Sequence, residues 1–130
     1  MAEVDINKVT ELIIGSAYEV ANVLGHGFLE KVYENSLSIE LKSKGLQVEQ
    51  QKRIQVFYKE MIVGEYVADI LVNNQIILEL KTIKSIDNVH IAQCLNYLKA
   101  TDKKLGLILN FGNPRVEIKR IKNDLSDRKD

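Results

Sequence analysis

Residues 88–100 carry Val89, Ala92, Leu95 and Leu98 on one helical face, and they lie between two short apolar runs, 76–80 and 105–111. A helix between two strands predicts a right-handed crossover that sets those strands side by side and parallel. The rest of the chain must fit around that unit. From residue 5 to 24 the apolar positions Ile6, Val9, Leu12, Ile13, Ala17, Val20, Ala21 and Leu24 recur in steps of three and four, with Asp5 placed to cap a helix. Gly25-His26-Gly27 breaks it, and a second helix is expected over 28–44, stopped by Gly45. Val48, Ile54, Val56 and Tyr58 sit at even positions, so 46–58 reads as a strand, with Lys59-Glu60 as the following turn. The β-branched runs 62–72 and 76–80 meet at Asn73-Asn74, residues that tolerate positive φ, which makes the middle of the chain a three-stranded antiparallel meander. Gly112-Asn113-Pro114 turns the chain into a last strand at 116–121. The expected order is ααβββαββ, an α/β fold with a mixed central sheet flanked by helices, in one domain over residues 1–130 with a frayed polar tail at 123–130.

Composition narrows the setting. One cysteine in 130 residues, Cys94, allows no internal disulfide, the first residues lack a basic-then-apolar leader, and no apolar run is long enough for a membrane helix. The expected place is the cytoplasm, with no membrane partner. Basic and acidic side chains balance at 18 each, which argues against tight autonomous binding of duplex nucleic acid. An enzyme that holds a strand briefly, or a homodimer that builds a basic groove, stays open. Local excesses occur at Lys42, Lys44, Lys52 and Arg53 and again at Arg115, Lys119, Arg120 and Lys122; solvated faces are the plainer explanation.

The chemistry is carried by a few acids in unfavourable places. On a helix at about 100° per residue, Leu37 and Leu41 fall about 20° to either side of Glu30, so Glu30 points along the apolar seam, where a carboxylate needs a partner or a cation. Its place in the first helical turn is an alternative reason for an acid there. Asp69 and Glu79 lie inside the apolar strands YVADILV and IILELK, where acids are disfavoured. A two-residue loop at Asn73-Asn74 would send them to opposite faces. A three-residue loop over 73–75 would set them face to face with Cβ atoms about 4.5–5.5 Å apart. Only the second register lets both reach one Mg²⁺, and it is the expected one. Glu79 and Lys81 share a face whatever the loop. Three acids against one lysine leave a negative charge that a divalent cation would balance, and without one at least one carboxyl should be pushed up. A surface Asp69 with a Glu79–Lys81 pair is the bland competitor.

Gln93 and Tyr97 are one helical turn apart and present together, either as a polar helix edge or as part of a site. His26 and His90 fit no zinc spacing, with His90 expected on the helix surface, and Cys94 is expected in the core. No glycine-rich phosphate loop is present. The eight aromatics are expected mostly in core positions, which argues against a large base-stacking platform.

Gly27-Phe28-Leu29-Glu30-Lys31-Val32-Tyr33 matches the signature of the GxxExxY family of small prokaryotic proteins, and GEYVADILV, Glu79-Leu80-Lys81, AQCLNYLKA and LILNFG extend the resemblance over residues 8–122. That family resembles the PD-(D/E)XK nuclease superfamily, in its RecB-like branch, and so implies a restriction-endonuclease-like core. By resemblance, Asp69, Glu79 and the backbone carbonyl of Leu80 hold Mg²⁺ or Mn²⁺, and Glu30 reaches the metal directly or through water. Lys81 orients the attacking water, and Gln93 and Tyr97 support the site and strand as a QxxxY element. Ala68 stands where the superfamily's named proline would be, which leaves the coordinating Asp69 in place. The implied activity is metal-dependent hydrolysis of nucleic acid, DNA before RNA. The alternative is a catalytically inactive nuclease-fold module that binds nucleic acid or protein.

Overall fold

A computed structural model describes residues 5–124. It contains α1 (Ile6–Leu24), α2 (Glu30–Ser43), β1 (Val48–Tyr58), β2 (Met61–Val72), β3 (Ile76–Lys81), α3 (Asn88–Thr101), β4 (Leu105–Asn110) and β5 (Glu117–Lys122), the expected order. The expected tail lies largely outside the described residues. Asp5 caps α1, its side chain accepting the Asn7 N–H at 2.9 Å. Helix α2 starts two residues later than expected because Gly25 and Gly27 take φ of 73° and 110° and the chain stays extended through Leu29. Asp87 caps α3, and His90 closes a capping box from inside the helix rather than standing free on its surface.

The sheet runs β1-β2-β3-β4-β5, antiparallel throughout except for the parallel β3–β4 pair that α3 connects. Val72 pairs with Ile76 and Ile70 with Leu78, so the β2–β3 loop has three residues, 73–75. Asn73 and Asn74 sit at φ of 51° and 53°, and the Asn73 side chain accepts the Gln47 N–H at 2.8 Å. This is the register in which Asp69 stands opposite Glu79.

Helices α1 and α2 cover one face, where Val9, Ile13, Leu37 and Leu41 pack on Ile70, Leu78, Leu80 and Leu107. On the other face Cys94 and Leu98 of α3 pack on Leu71, Ile77, Ile108 and Ile121. Strand β3 is therefore buried on both sides, and each of its large aliphatic side chains contributes roughly 1.5–3 kcal/mol by leaving water. Gly106 of β4 permits the close approach of α3: a Cβ there would come within 2.8 Å of Cys94 Sγ and 3.3 Å of the Ile77 carbonyl oxygen.

Two irregularities set up the site. Ala68 belongs to the layer under α3 while Ile70 belongs to the layer under α1 and α2, although a regular strand would put both on one face. The strand thus turns over at Asp69, and Gln51, between the paired positions that flank Asp69 in β1, has φ of 54°. The β2–β3 ladder ends at Ile70–Leu78, whereas β1 and β2 stay paired out to Tyr58–Met61. Beyond Asp69 the hairpin leaves β3, and among the described residues no third strand covers its tip.

That projection corrects the expectation about aromatics. Only Tyr33 and Phe111 are buried, Tyr97 is half-buried, and Tyr18, Phe28, Phe57, Tyr58 and Tyr66 are exposed. Period-two patterning placed Tyr58 on a strand face, but the face there has no layer to pack against. The argument against base stacking loses its basis.

Candidate metal centre

Where β2 and β3 part, the Leu80 N–H donates to Asp69 Oδ2 at 2.8 Å instead of to a further carbonyl of the ladder. The Lys81 carbonyl accepts the Phe111 N–H at 2.8 Å and so faces β4. Successive residues of a strand alternate the edge they address, hence the Leu80 carbonyl faces the same side as its N–H, toward Asp69. Burial first, and then the charge of Asp69, push the Glu79 carboxyl up to about 8, against a hydrogen bond from the Asp69 backbone N–H. Glu79 is only 8% exposed, and its Oε1 is buried with no hydrogen-bond partner among the described residues. Burial likewise raises Asp69, against the pull of the Leu80 N–H.

Lys81, half-buried, makes no ion pair among the described residues, yet its charge lowers Glu79, Asp69 and Glu30 together. The ammonium group is thus held near three carboxylates without being neutralised by any one of them. The segment after it is pinned from below. Asn110, fully buried, accepts the Ile83 N–H at 3.0 Å and donates to the Ile83 carbonyl at 2.9 Å. Gly112 passes so close that a Cβ would meet the Ile83 backbone.

Glu30 stands exposed at the mouth, raised first by partial burial and then by Asp69, and steadied by the Thr82 N–H. It lies on the line of the apolar seam, as the helical angle requires, but at the helix's first residue, beyond the end of the core. The acid enclosed in that seam is Glu34, 4% exposed, which sequence reasoning passed over. It accepts from Gln50 at 2.7 Å and from Gln51 at 2.9 Å and pairs with Lys31 at 3.1 Å. Its oxygens are occupied by these donors, so it acts as a strut between α2 and β1. Gln51, also passed over, reaches Asp69 as well as Glu34 and couples that strut to the site. The helical arithmetic that selected Glu30 also puts Glu34 near the seam, about 20° from Leu41 and 60° from Leu37; nothing in the sequence signals the positive φ of Gln51.

Tyr97 of α3 lies half-buried with its ring 4.7 Å from that of Tyr66, and burial and the Glu79 charge both raise its hydroxyl. Gln93, one turn earlier, is exposed and makes no hydrogen bond among the described residues. Burial and the Glu79 charge push the Cys94 thiol up to about 12, which keeps it protonated and removes it as a nucleophile. Phe28, Gly25 and Tyr33 account for much of the loop before α2: the Tyr33 hydroxyl donates to the Gly25 carbonyl at 2.6 Å and accepts the Phe28 N–H at 3.2 Å. The Tyr33 ring stacks on Phe111 with centroids 4.6 Å apart. Tyr33→Phe should therefore leave two backbone groups unsatisfied and cost about 1–3 kcal/mol, measured as a lower urea midpoint at unchanged m value.

Among the described residues no group of three or more His, Cys, Asp and Glu side chains stands close enough to hold a metal ion. The oxygen donors at the parting of β2 and β3 are the carboxylates of Asp69 and Glu79, the latter with a buried unpartnered oxygen, and the Leu80 carbonyl on the β2 side of β3. An all-oxygen set of that size suits a hard cation that keeps much of its water, as Mg²⁺ does with one or two protein carboxylates.

A mixed five-stranded sheet between helices, with Asp, Glu and Lys gathered where two strands part, defines a restriction-endonuclease-like α/β fold. A profile of the PD-(D/E)XK nuclease superfamily matches residues 7–121, and the chain belongs to that superfamily. The fold is similar to one reported as "Crystal structure of SSO0001", at a TM-score of 0.56 and 20% sequence identity, covering 89% of this chain and 58% of that one. The chain thus spans little more than half the length of that protein. No curated protein sequence matches it significantly. Among the described residues no helix is long and apolar enough to cross a membrane.

Proposed function

We infer that the chain is a divalent-metal-dependent nuclease that hydrolyses phosphodiester bonds, DNA before RNA, with the GxxExxY segment as part of its site. The observation that carries this reading is the buried, unpartnered Glu79 Oε1 beside Asp69 and an un-neutralised Lys81. Asp69, Glu79 and the Leu80 carbonyl would hold Mg²⁺ or Mn²⁺, and the bound cation would supply Lewis-acid stabilisation of charge building on the scissile phosphate.

The protein groups divide the remaining work. Lys81 places a positive charge in a partly dehydrated site, where it stabilises negative charge on the attacking and equatorial oxygens more than it would in water. Glu30 at the mouth would orient water and would meet a bound cation directly or through that water. Glu34 and Gln51 are positioning residues that hold Asp69 at the bend of β2. Tyr97 closes the α3 side of the site, with Gln93 one turn away and free to meet a strand. Gly27 and Tyr33 fix the loop that presents Glu30, which gives the GxxExxY spacing a mechanical reason.

The test is degradation of single- and double-stranded DNA and RNA with Mg²⁺ or Mn²⁺, run beside Lys81→Ala. Metal-dependent cleavage that disappears in the variant supports the reading. A wild-type protein that binds metal but cleaves none of the four polymers would make it an inactive nuclease-fold module instead.

A further inference from the structure

The β1–β2 hairpin outruns β3 as a two-stranded arm that ends in the Lys59-Glu60 turn. Near its end Phe57, Tyr58, Met61, Ile62 and Val63 are each between 56 and 68% exposed. Phe57 pairs with Ile62, and Tyr58 with Met61. Cross-strand partners share a face and successive pairs alternate, so the tip is apolar on both faces. An antiparallel ribbon with one face in water is normally polar on that face. The backbone edges are open as well. Strand β1 is the outermost strand of the sheet, and from Met61 to Ala68 β2 has no second strand beside it among the described residues. A two-stranded hairpin is marginal in water on its own, and this one carries its apolar side chains where its own sheet cannot cover them.

We propose that this arm joins two copies of the chain, with the two arms packed on one another about a two-fold axis. The five side chains leave on the order of 600 Å² in water, most of the ~800 Å² that each partner gives to a standard interface, which fits a weak, reversible dimer. An antiparallel strand edge is complementary to itself, so the same edge serves both copies in a two-fold contact. Two-stranded ribbons twist strongly, and the irregularity between Val56 and Phe57 adds to the twist. Two such arms coil around one another, and each face of the tip meets the partner. Charge favours a copy of the chain over a polyanion or a strongly charged protein. Along 48–67, Lys52, Arg53 and Lys59 balance Glu49, Glu60 and Glu65, and a second arm brings the same balanced set. The arm springs from the bend at Asp69 but uses none of the side chains of the metal centre, so the pairing stands whether or not that site cleaves.

The test is sedimentation equilibrium in EDTA over roughly 1–200 µM protein, with melting followed by circular dichroism across the same range. The wild type should show a monomer–dimer equilibrium and a melting temperature that rises with concentration. Met61→Glu combined with Ile62→Glu sets a carboxylate on each face of the tip and should weaken association at least about tenfold. Both side chains are exposed in the single chain, so the double variant should keep the wild-type spectrum and melt like dilute wild type at every concentration. Ile39→Glu, on the exposed side of α2, should dimerise as the wild type does. Raising NaCl to about 0.5 M should leave the dimer in place, because an apolar contact is not screened by salt. The proposal is overturned if the wild type stays monomeric at the highest concentration or assembles past two copies. It is equally overturned if the double variant associates like wild type, if Ile39→Glu abolishes the dimer, or if salt dissolves it.

Discussion

Lys81→Ala is expected to lower the rate of metal-dependent cleavage by about 10²–10³-fold or more, the loss typical of removing one preorganised charge-stabilising group. The fold should survive, because the ammonium group makes no ion pair among the described residues and its removal strands no buried partner. One indirect effect must be separated from the chemistry. Lys81 lowers the carboxyls of Glu79, Asp69 and Glu30, so without it these acids hold protons more tightly and compete with a cation. The measurement is therefore the rate at saturating Mn²⁺ and alkaline pH, where that competition is removed. A rate that recovers fully there would reduce Lys81 to an aid to metal loading. Persistent loss assigns it to the reacting phosphate.

Glu79→Gln should stabilise the metal-free protein in alkaline solution and flatten its dependence on pH. The sign follows from the direction of the shift. Burial and Asp69 raise the Glu79 carboxyl from 4.5 to about 8 in the folded chain, so between those values the native state binds more protons than the unfolded one. Stability then falls as pH rises through that window and levels off above it. Below about pH 4.5 the penalty is absent, and wild type and variant should melt alike. A shift of this size corresponds to at most roughly 5 kcal/mol, and structural relaxation reduces it. Even 2 kcal/mol would raise the melting temperature by about 5–10 °C at pH 9 for a domain of this size. Saturating Mg²⁺ should narrow the gap by stabilising only the wild type. Parallel melting curves for the two proteins from pH 5 to 9 would contradict a buried, proton-holding Glu79.

The elements that position this site were legible for definite reasons. Chemistry alone chose between two loop lengths at residues 73–75, and the structure has the three-residue register. Asp5 and Asp87 announce helix starts because a short acceptor side chain satisfies the first free N–H groups, as both do here. The helix over 88–100 predicted the parallel β3–β4 pair because little else joins two adjacent strands across so long a connection. What escaped was depth. Glu30 and Glu34 share one helical stripe, and only the start of α2 at Glu30 decides that the first overhangs the mouth while the second is enclosed. Likewise Phe57 and Tyr58 read as ordinary strand residues, and nothing in a period of two tells that the hairpin outruns β3 and leaves them uncovered. Gln51 escaped because a glutamine at positive φ has no sequence signature.

Calorimetric titration of Mn²⁺ into the wild type and into Asp69→Asn, at pH 6 and pH 8 in buffers of different ionisation enthalpy, probes the two-carboxylate centre without relying on turnover. The wild type should bind one ion, more tightly at pH 8, and release protons as Glu79 gives up its own. Asp69→Asn should fold, keep the Leu80 N–H satisfied through its amide oxygen, and bind at least about tenfold more weakly, about the 1.4 kcal/mol that a lost charged ligand exceeds. Equal affinity in the two proteins, or a wild type that takes up no ion at either pH, would contradict the assignment of Asp69 and Glu79 as metal carboxylates.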